Sequence, residues 1–276
     1  MSALRLLVIG AHPDDAEFHV GGIIQRFCTA GHVVKVISVT DGSAGHHQLT
    51  PNALAEVRRA EAARAAVLFG FSTEVWRWPD GALTACLPAR LQVIRAIRLF
   101  APDLVITHRT NDYHPDHRAV GQLVQDASFM VRVPHVADDV PALRQDPVVM
   151  FMADFFSRPN AFRADLVVDV GPQMRGIIDM LACHASQVFE WLPWLDGRDN
   201  VPTLAEDRRV WLERWFEHRP RKIADRFRAE LQATYGLNGA RVVHAEALEE
   251  SEYAARLSNA LRQKLFGWMH SADDAR

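Results

Sequence analysis

The feature that most constrains the fold is a pair of reactive segments, far apart in the chain, each placed just after a short apolar run. The first segment is LRLLVIGAHPDDAEFHVGG. Its run Leu4 to Ile9 holds β-favouring Val and Ile and is stopped by Gly10, which predicts a buried strand. The second is PDLVITHRTNDYHPDHRAVGQLV, where Leu104 to Thr107 predicts another buried strand and Asp116 onward a helix with Pro115 in its first turn. His12, Asp14 and Asp15 follow the first strand, and His114, Asp116 and His117 follow the second. Pro13 and Pro115 fix their own φ and push the preceding histidine toward an extended backbone, so each histidine is held at a bend. His114 and His117, three apart, lie near one face of the helix start and can reach a common point.

The intervening chain decides whether the two segments meet. Periodicity predicts a helix at Gly22 to Thr29, a strand at Val33 to Val39, a helix at Ala53 to Phe69, a strand at Val75 to Trp78 and a helix at Ala89 to Phe100. Such a run of βα units implies an α/β fold, Rossmann-like and doubly wound, with a mostly parallel sheet and helices on both faces. If the strand order is the common 3-2-1-4-5-6, strands one and four are neighbours where the winding reverses, and ligands bind beyond their carboxyl ends. Further strands are expected at Val148 to Met152 and Leu166 to Val170, with a helix from Gln173 to Cys183. Phe189 to Val201 reads as a loop with two Trp around a Pro. Helices are expected at Ile223 to Leu231 and Tyr253 to Phe266, a short strand at Arg241 to His244, and a frayed tail SADDAR. The reading is one domain over 1–276 with a helical or loop elaboration from about residue 189.

With 276 residues the chain can bury a sizeable core, and a formal net charge of -3 makes no electrostatic case for nucleic acid or an anionic membrane. Cys28, Cys86 and Cys183 are odd in number and widely spaced, which suggests free thiols in a reducing compartment. The early apolar run is too short to span a bilayer and lacks a signal-peptide cleavage pattern, so the cytoplasm is expected. A dinucleotide-dependent oxidoreductase is disfavoured because G-x-G-x-x-G is missing and acid stands where pyrophosphate would sit. A non-enzymatic binder or metal sensor on the same scaffold would have no need of Asp14 or His114.

AHPDDAEFHVGG, HRTNDYHPDH, TDG at Thr40 to Gly42, Arg58-x-x-Glu61 and HASQ at His184 to Gln187 together resemble the PIG-L or LmbE-like zinc-dependent de-N-acetylases. The likeness runs in order from Leu6 through Gln187, with a weaker echo from Tyr235 to Leu248. The resemblance implies one zinc per chain, or another divalent transition metal, on His12, Asp15 and His117, with a coordination position left for water. It implies Asp14 as general base and His114 as the group that stabilises the oxyanion and protonates the leaving amine. Asp116 would hold the His114 imidazole and favour its protonated form. The implied substrate is an N-acetylated amino-sugar conjugate of the N-acetylglucosamine type, deacetylated to acetate and a free amine. A non-sugar or thiol-conjugate amide is the alternative. From the charge and the lack of a long apolar run, no nucleic-acid partner and no membrane insertion are expected, and the resemblance implies a homo-oligomer, trimeric or hexameric.

Arg58, Asp80 of WPDG and His184 of HASQ are the implied substrate contacts. Arg58 also reads as a surface ion pair with Glu61, Asp80 as a turn residue, and His184 as lining the cleft or fixing the HPDH loop. His108 and Asp112 read either as support for the ligands or as plain loop residues. His19 reads as a structural imidazole, His46 and His47 as a solvated loop, and Trp191 and Trp194 as a packed cluster or an oligomer contact before a sugar platform. Discrimination between aglycones is expected in the 189–220 region.

Overall fold

The computed structural model describes residues 3–198 and 200–270. Strands β1 (Arg5–Gly10), β2 (Val33–Thr40), β3 (Ser72–Trp78) and β4 (Leu104–Thr107) alternate with helices α1 (Asp15–Thr29), α2 (Pro51–Phe69), α3 (Leu87–Phe100) and α4 (Pro115–Met130). Strands β5 (Val148–Met152) and β6 (Leu166–Asp169) and helix α5 (Met174–Cys183) follow. After them come a π-helical turn at Ser186–Trp191, helices α6 (Leu192–Leu195), α7 (Ala205–Phe216), α8 (His218–Arg226) and α9 (Arg228–Tyr235), strand β7 (Ala245–Glu250) and helix α10 (Asn259–Phe266).

The sheet has seven strands in the order β3-β2-β1-β4-β5-β7-β6, parallel except at β7, which runs antiparallel to both its neighbours. Both faces are covered, which is why β1, β4 and β5 read as continuous apolar runs. Along β1, Leu6 and Val8 enter a core with Ile23, Ile24 and Phe27 of α1 and Ile177 of α5. Leu7 and Ile9 enter the opposite core with Val93 and Ile97 of α3 and Leu123 and Val124 of α4. A third, smaller core gathers Ile223, Phe227 and Leu231 against Val167 and Ala247. No described helix is long and apolar enough to cross a membrane.

Several expectations are corrected. Helix α1 begins at Asp15 rather than Gly22, and it is kinked where Val20 leaves helical geometry (φ -143, ψ 26). The kink frees the Gly22 and Ile23 N–H groups, and the buried Glu246 carboxylate accepts both, at 2.7 and 2.9 Å. Gly22 is required there, since a Cβ would meet Val170 Cγ1 at 2.5 Å. The strand expected at Arg241 to His244 lies instead at Ala245–Glu250, inserted between β5 and β6. Its glutamates hid it, one of them buried as the cap just described.

The helix expected at Ile223 to Leu231 is two helices broken at Phe227 (φ -111, ψ 37), and the helix expected from Tyr253 begins only at Asn259, capped by Ser258. Part of the loop expected at Phe189 to Val201 is helical, and α7 was not foreseen. The tail SADDAR lies outside the described residues.

One glycine fixes the approach of α4 to the sheet. A Cβ on Gly121 would stand 2.7 Å from the carbonyl oxygens of His108 and Arg109. Gly121→Ala is therefore expected to destabilise the fold by about 1–3 kcal/mol through overpacking against backbone. A thermal unfolding midpoint unchanged from the parent would contradict this.

Candidate active site

Strands β1 and β4 lie side by side in parallel, with Ile9 paired to Thr107, so the chains leaving their carboxyl ends emerge together. After β1 the Asp15 carboxylate folds back on the loop before it, accepting the N–H groups of Ala11 (2.9 Å) and His12 (2.8 Å) through Oδ2. Asp14, between Pro13 and the helix, sits at φ 127, a conformation L residues rarely adopt and one whose strain concentrates at functional sites. Arg58, buried on α2, holds this bend by donating to Pro13 O and pairing with Asp14 Oδ1 at 3.1 Å.

After β4, Asp112 Oδ1 accepts from the His114 N–H (2.9 Å) and lies 3.0 Å from His117 Nδ1. The carboxylate makes Nδ1 the proton-bearing atom and leaves Nε2 with a free lone pair, the usual support for a metal-binding imidazole. His12 is oriented the same way in reverse. Its Nε2 faces Asp80 Oδ1 (3.1 Å) and Asp116 Oδ2 (3.3 Å), leaving Nδ1 free.

The free atoms converge. His117 Nε2 is 3.3 Å from His12 Nδ1 and 3.4 Å from Asp15 Oδ1, and His12 Nδ1 is 3.6 Å from Asp15 Oδ2. Ligands held about 2.0–2.2 Å from a tetrahedral zinc stand roughly 3.3–3.5 Å apart, so the spacing fits such an ion. Three overlapping histidine–carboxylate clusters occupy this region: His12, His114 and His117; Asp15, His108 and His117; and His12, Asp80 and Asp116. The set His12, Asp15 and His117 shares two members with each of the first two clusters, and the third is set aside because Asp80 and Asp116 meet the His12 nitrogen turned away from His117.

Electrostatics point the same way. Burial opposes charge on His12, yet Asp116, Asp15 and Asp80 raise its pKa well above the ordinary value. Burial likewise opposes charge on His117, but Asp15 and Asp112 push it up to about 9. The carboxylates therefore demand positive charge at this point, which a dication answers. Asp14 differs from its neighbour, since burial lifts it to about 6 against the opposing Arg58 guanidinium.

Asp116 corrects an expectation. Its fully buried carboxylate does not hold His114; it accepts from Gly81 N (2.7 Å) and Leu83 N (3.1 Å) and faces His12. His114 instead caps α4 through Nδ1, which accepts the Asp116 N–H at 3.2 Å. A neutral His114 thus carries its proton on Nε2. Burial and the nearby His12 and His117 lower its pKa, so its protonated form is disfavoured rather than favoured.

The expected substrate contacts divide. Arg58 and Asp80 line the cavity, Asp80 with both oxygens engaged and Arg58 engaged through Nη1 and Nη2 while its buried Nε has no hydrogen-bond partner. Arg58 is no surface partner of Glu61, which instead accepts from Ser186 N and Oγ. Asp80 Oδ2 takes the Ala44 N–H at 3.0 Å. His184 is fully buried against Glu17 (3.4 Å) and is not part of the lining, so it neither faces the cleft nor meets the HPDH loop.

His108 and Asp112 both act on the converging set: His108 stacks on His117 (centroids 4.0 Å) and reaches Asp15 Oδ2 at 3.0 Å. His46 and His47 are not a solvated pair. They stack on each other, and His47 stacks on Trp194 at 4.7 Å, which stacks on Trp191 at 5.2 Å. Asp112→Ala would leave His117 Nδ1 unheld, and is expected to weaken metal affinity about 10–100-fold. Competition against a chromophoric chelator reads this, and parental affinity would refute it.

The cavity holds about 510 Å³ and is lined by the groups above together with Phe18, Tyr113, Phe155, Trp191 and Trp215. Residues 7–128 match the family model described as PIG-L: GlcNAc-PI de-N-acetylase. The chain is 26% identical over 245 residues to the 1D-myo-inositol 2-acetamido-2-deoxy-alpha-D-glucopyranoside deacetylase 1 of Saccharopolyspora erythraea, a match covering 70% of this chain and 81% of that protein. Its fold is similar to the N,N'-diacetylchitobiose deacetylase of Pyrococcus horikoshii (TM-score 0.71, 20% identity, covering 91% of this chain and 85% of that one). It is equally similar to GalB, the 4-carboxy-2-hydroxymuconate hydratase of Pseudomonas putida KT2440 (TM-score 0.72, 19% identity, covering 93% and 98%). Both motif segments that converge in this site lie within the matched residues 7–128, and over them the chain is similar to the PIG-L / LmbE-like de-N-acetylases.

Proposed function

We propose that the protein is a zinc-dependent hydrolase that removes the acetyl group from an N-acetylated amino-sugar conjugate of the N-acetylglucosamine type. The observation that carries this reading is the convergence of His12, Asp15 and His117 in a cavity that also holds Asp14, a carboxylate lifted to about 6 by burial. Zinc bound by those three residues supplies polarisation of the amide carbonyl and a water of lowered pKa. Asp14 takes the proton of the attacking water, its orientation set by Arg58. Asp15 is a poor proton acceptor, since its charge is committed to the ligand set. His114 donates its Nε2–H to the amide oxygen as negative charge develops there.

Asp80 and Asp116 hold His12, and Asp112 holds His117. Arg58 and Asp80, on the cavity wall, are the proposed contacts for sugar hydroxyls. With this activity we propose a cytoplasmic location, supported by three unpaired cysteines, and a trimer or hexamer, supported by the family resemblance and checked by sedimentation.

The test is acetate release from a panel of N-acetylglucosamine conjugates by metal-free and zinc-reconstituted protein. Release only after reconstitution is the expected result. No release despite stoichiometric zinc would overturn it. A second reading, hydration of an unsaturated carboxylate, draws on the hydratase of like fold and predicts consumption of such an acid without acetate.

A further inference from the structure

One cation in the cavity wall is uncommitted. Arg219, on α8, lines the same cavity as the converging histidines. Both of its hydrogen bonds leave from Nη2, to His19 Nδ1 at 2.7 Å and to Ala153 O at 2.8 Å. A guanidinium carries five N–H donors, so three remain. Nε has no partner, and among the described residues no carboxylate oxygen lies within 4.0 Å of the guanidinium. The other charged groups nearby are engaged: Arg58 with Asp14, Asp154 with Arg109 at 3.1 Å, and Asp112 with His117. Phe155, 5.5 Å from the guanidinium, offsets only part of the cost of burying it.

His19, which Arg219 holds, packs edge-on against His108 at 5.7 Å between centroids, and His108 stacks on His117 at 4.0 Å. Arg219 is thus joined to the ligand set through the rings of His19 and His108 and does not itself bond to any of the three ligands. Nη2 is anchored by His19 and Ala153, so the donors that remain are the Nε–H and the two N–H groups of Nη1, which can each give a charge-assisted hydrogen bond to an anionic oxygen.

We propose that Arg219 receives an anionic oxygen group, a carboxylate or a phosphate, carried by the substrate, and thereby selects acidic conjugates over neutral ones. For the reaction this rests on the deacetylase reading; for binding it does not.

The test uses phenyl N-acetyl-β-glucosaminide and its 4-carboxy and 4-phosphate derivatives, with zinc-loaded parent, Arg219→Met and Arg219→Lys. Calorimetric binding and kcat/KM are both measured. The parent is expected to favour at least one anionic derivative over the neutral compound by tenfold or more, and the preferred derivative tells carboxylate from phosphate. In Arg219→Met that ratio falls to within twofold of unity, through KM rather than kcat. Arg219→Lys, which keeps the charge and loses the guanidinium donors, falls at least threefold and decides the matter if the Met variant does not fold. Equal binding of all three compounds, no binding of any, or a ratio unchanged in the variants would overturn the proposal. Anion-selective binding without acetate release would overturn the deacetylase reading and leave the anion site standing.

Discussion

Asp14→Asn is expected to lower turnover about 10²–10⁴-fold, the range for losing a general base, while zinc content stays at one per chain. Asparagine is the informative replacement because it tolerates the positive φ found at this position better than most residues, and its amide oxygen can still accept from Arg58. What disappears is the proton-accepting charge. The pH profile carries the same information. Burial lifts Asp14 to about 6, and a nearby dication moves it downward from there. The ionised base is the active form, so kcat/KM falls as pH drops through this value, with an acid limb at or below about 6. That limb should vanish in the variant. A loss smaller than tenfold at full zinc occupancy, or an unchanged acid limb, would remove Asp14 from the chemistry.

The second large effect concerns the ligand set. His117→Ala removes the imidazole that joins Asp112 to the convergence point, and is expected to weaken zinc binding by more than about 100-fold, beyond the cost of losing a supporting residue. Protein stripped by a chelator should recover acetate release on adding zinc, whereas His117→Ala should not. His108→Ala is the control, because His108 joins Asp15 and His117 in an alternative cluster. In the assignment made here His108 supports Asp15 and stacks on His117, so its loss weakens binding less. Equal losses from His108→Ala and His117→Ala would move the ion toward Asp15, His108 and His117.

The parts of this site that could be read from the residues were those whose cause is local. An apolar run ended by glycine makes β1, and prolines after His12 and His114 hold those histidines at bends. The three-residue spacing places His114 and His117 on one helix start. The βα alternation then brings the two loops to one edge, and the sheet follows the expected 3-2-1-4-5-6 through its first five strands but places β7 between β5 and β6. Hidden from the residues was everything that depends on which side chain a remote element presents. Asp80, in the turn after β3, faces His12, and Asp116 turns away from the histidine two residues before it. β7 was misplaced because a buried glutamate looks solvated until the kink it caps is known.

The sequence by itself therefore determined the chemistry available and its rough address: histidines and carboxylates in two short segments at the ends of two buried strands. Backbone stiffness and periodicity act over a few residues, and they suffice for that. Only the tertiary structure decided which nitrogen of each histidine is free, that Arg58 pairs with Asp14, and that Arg219, from a helix far along the chain, enters the same cavity with donors to spare. Those outcomes come from packing between segments distant in sequence, where small differences in approach select the atoms that meet, and local patterning carries no record of that approach.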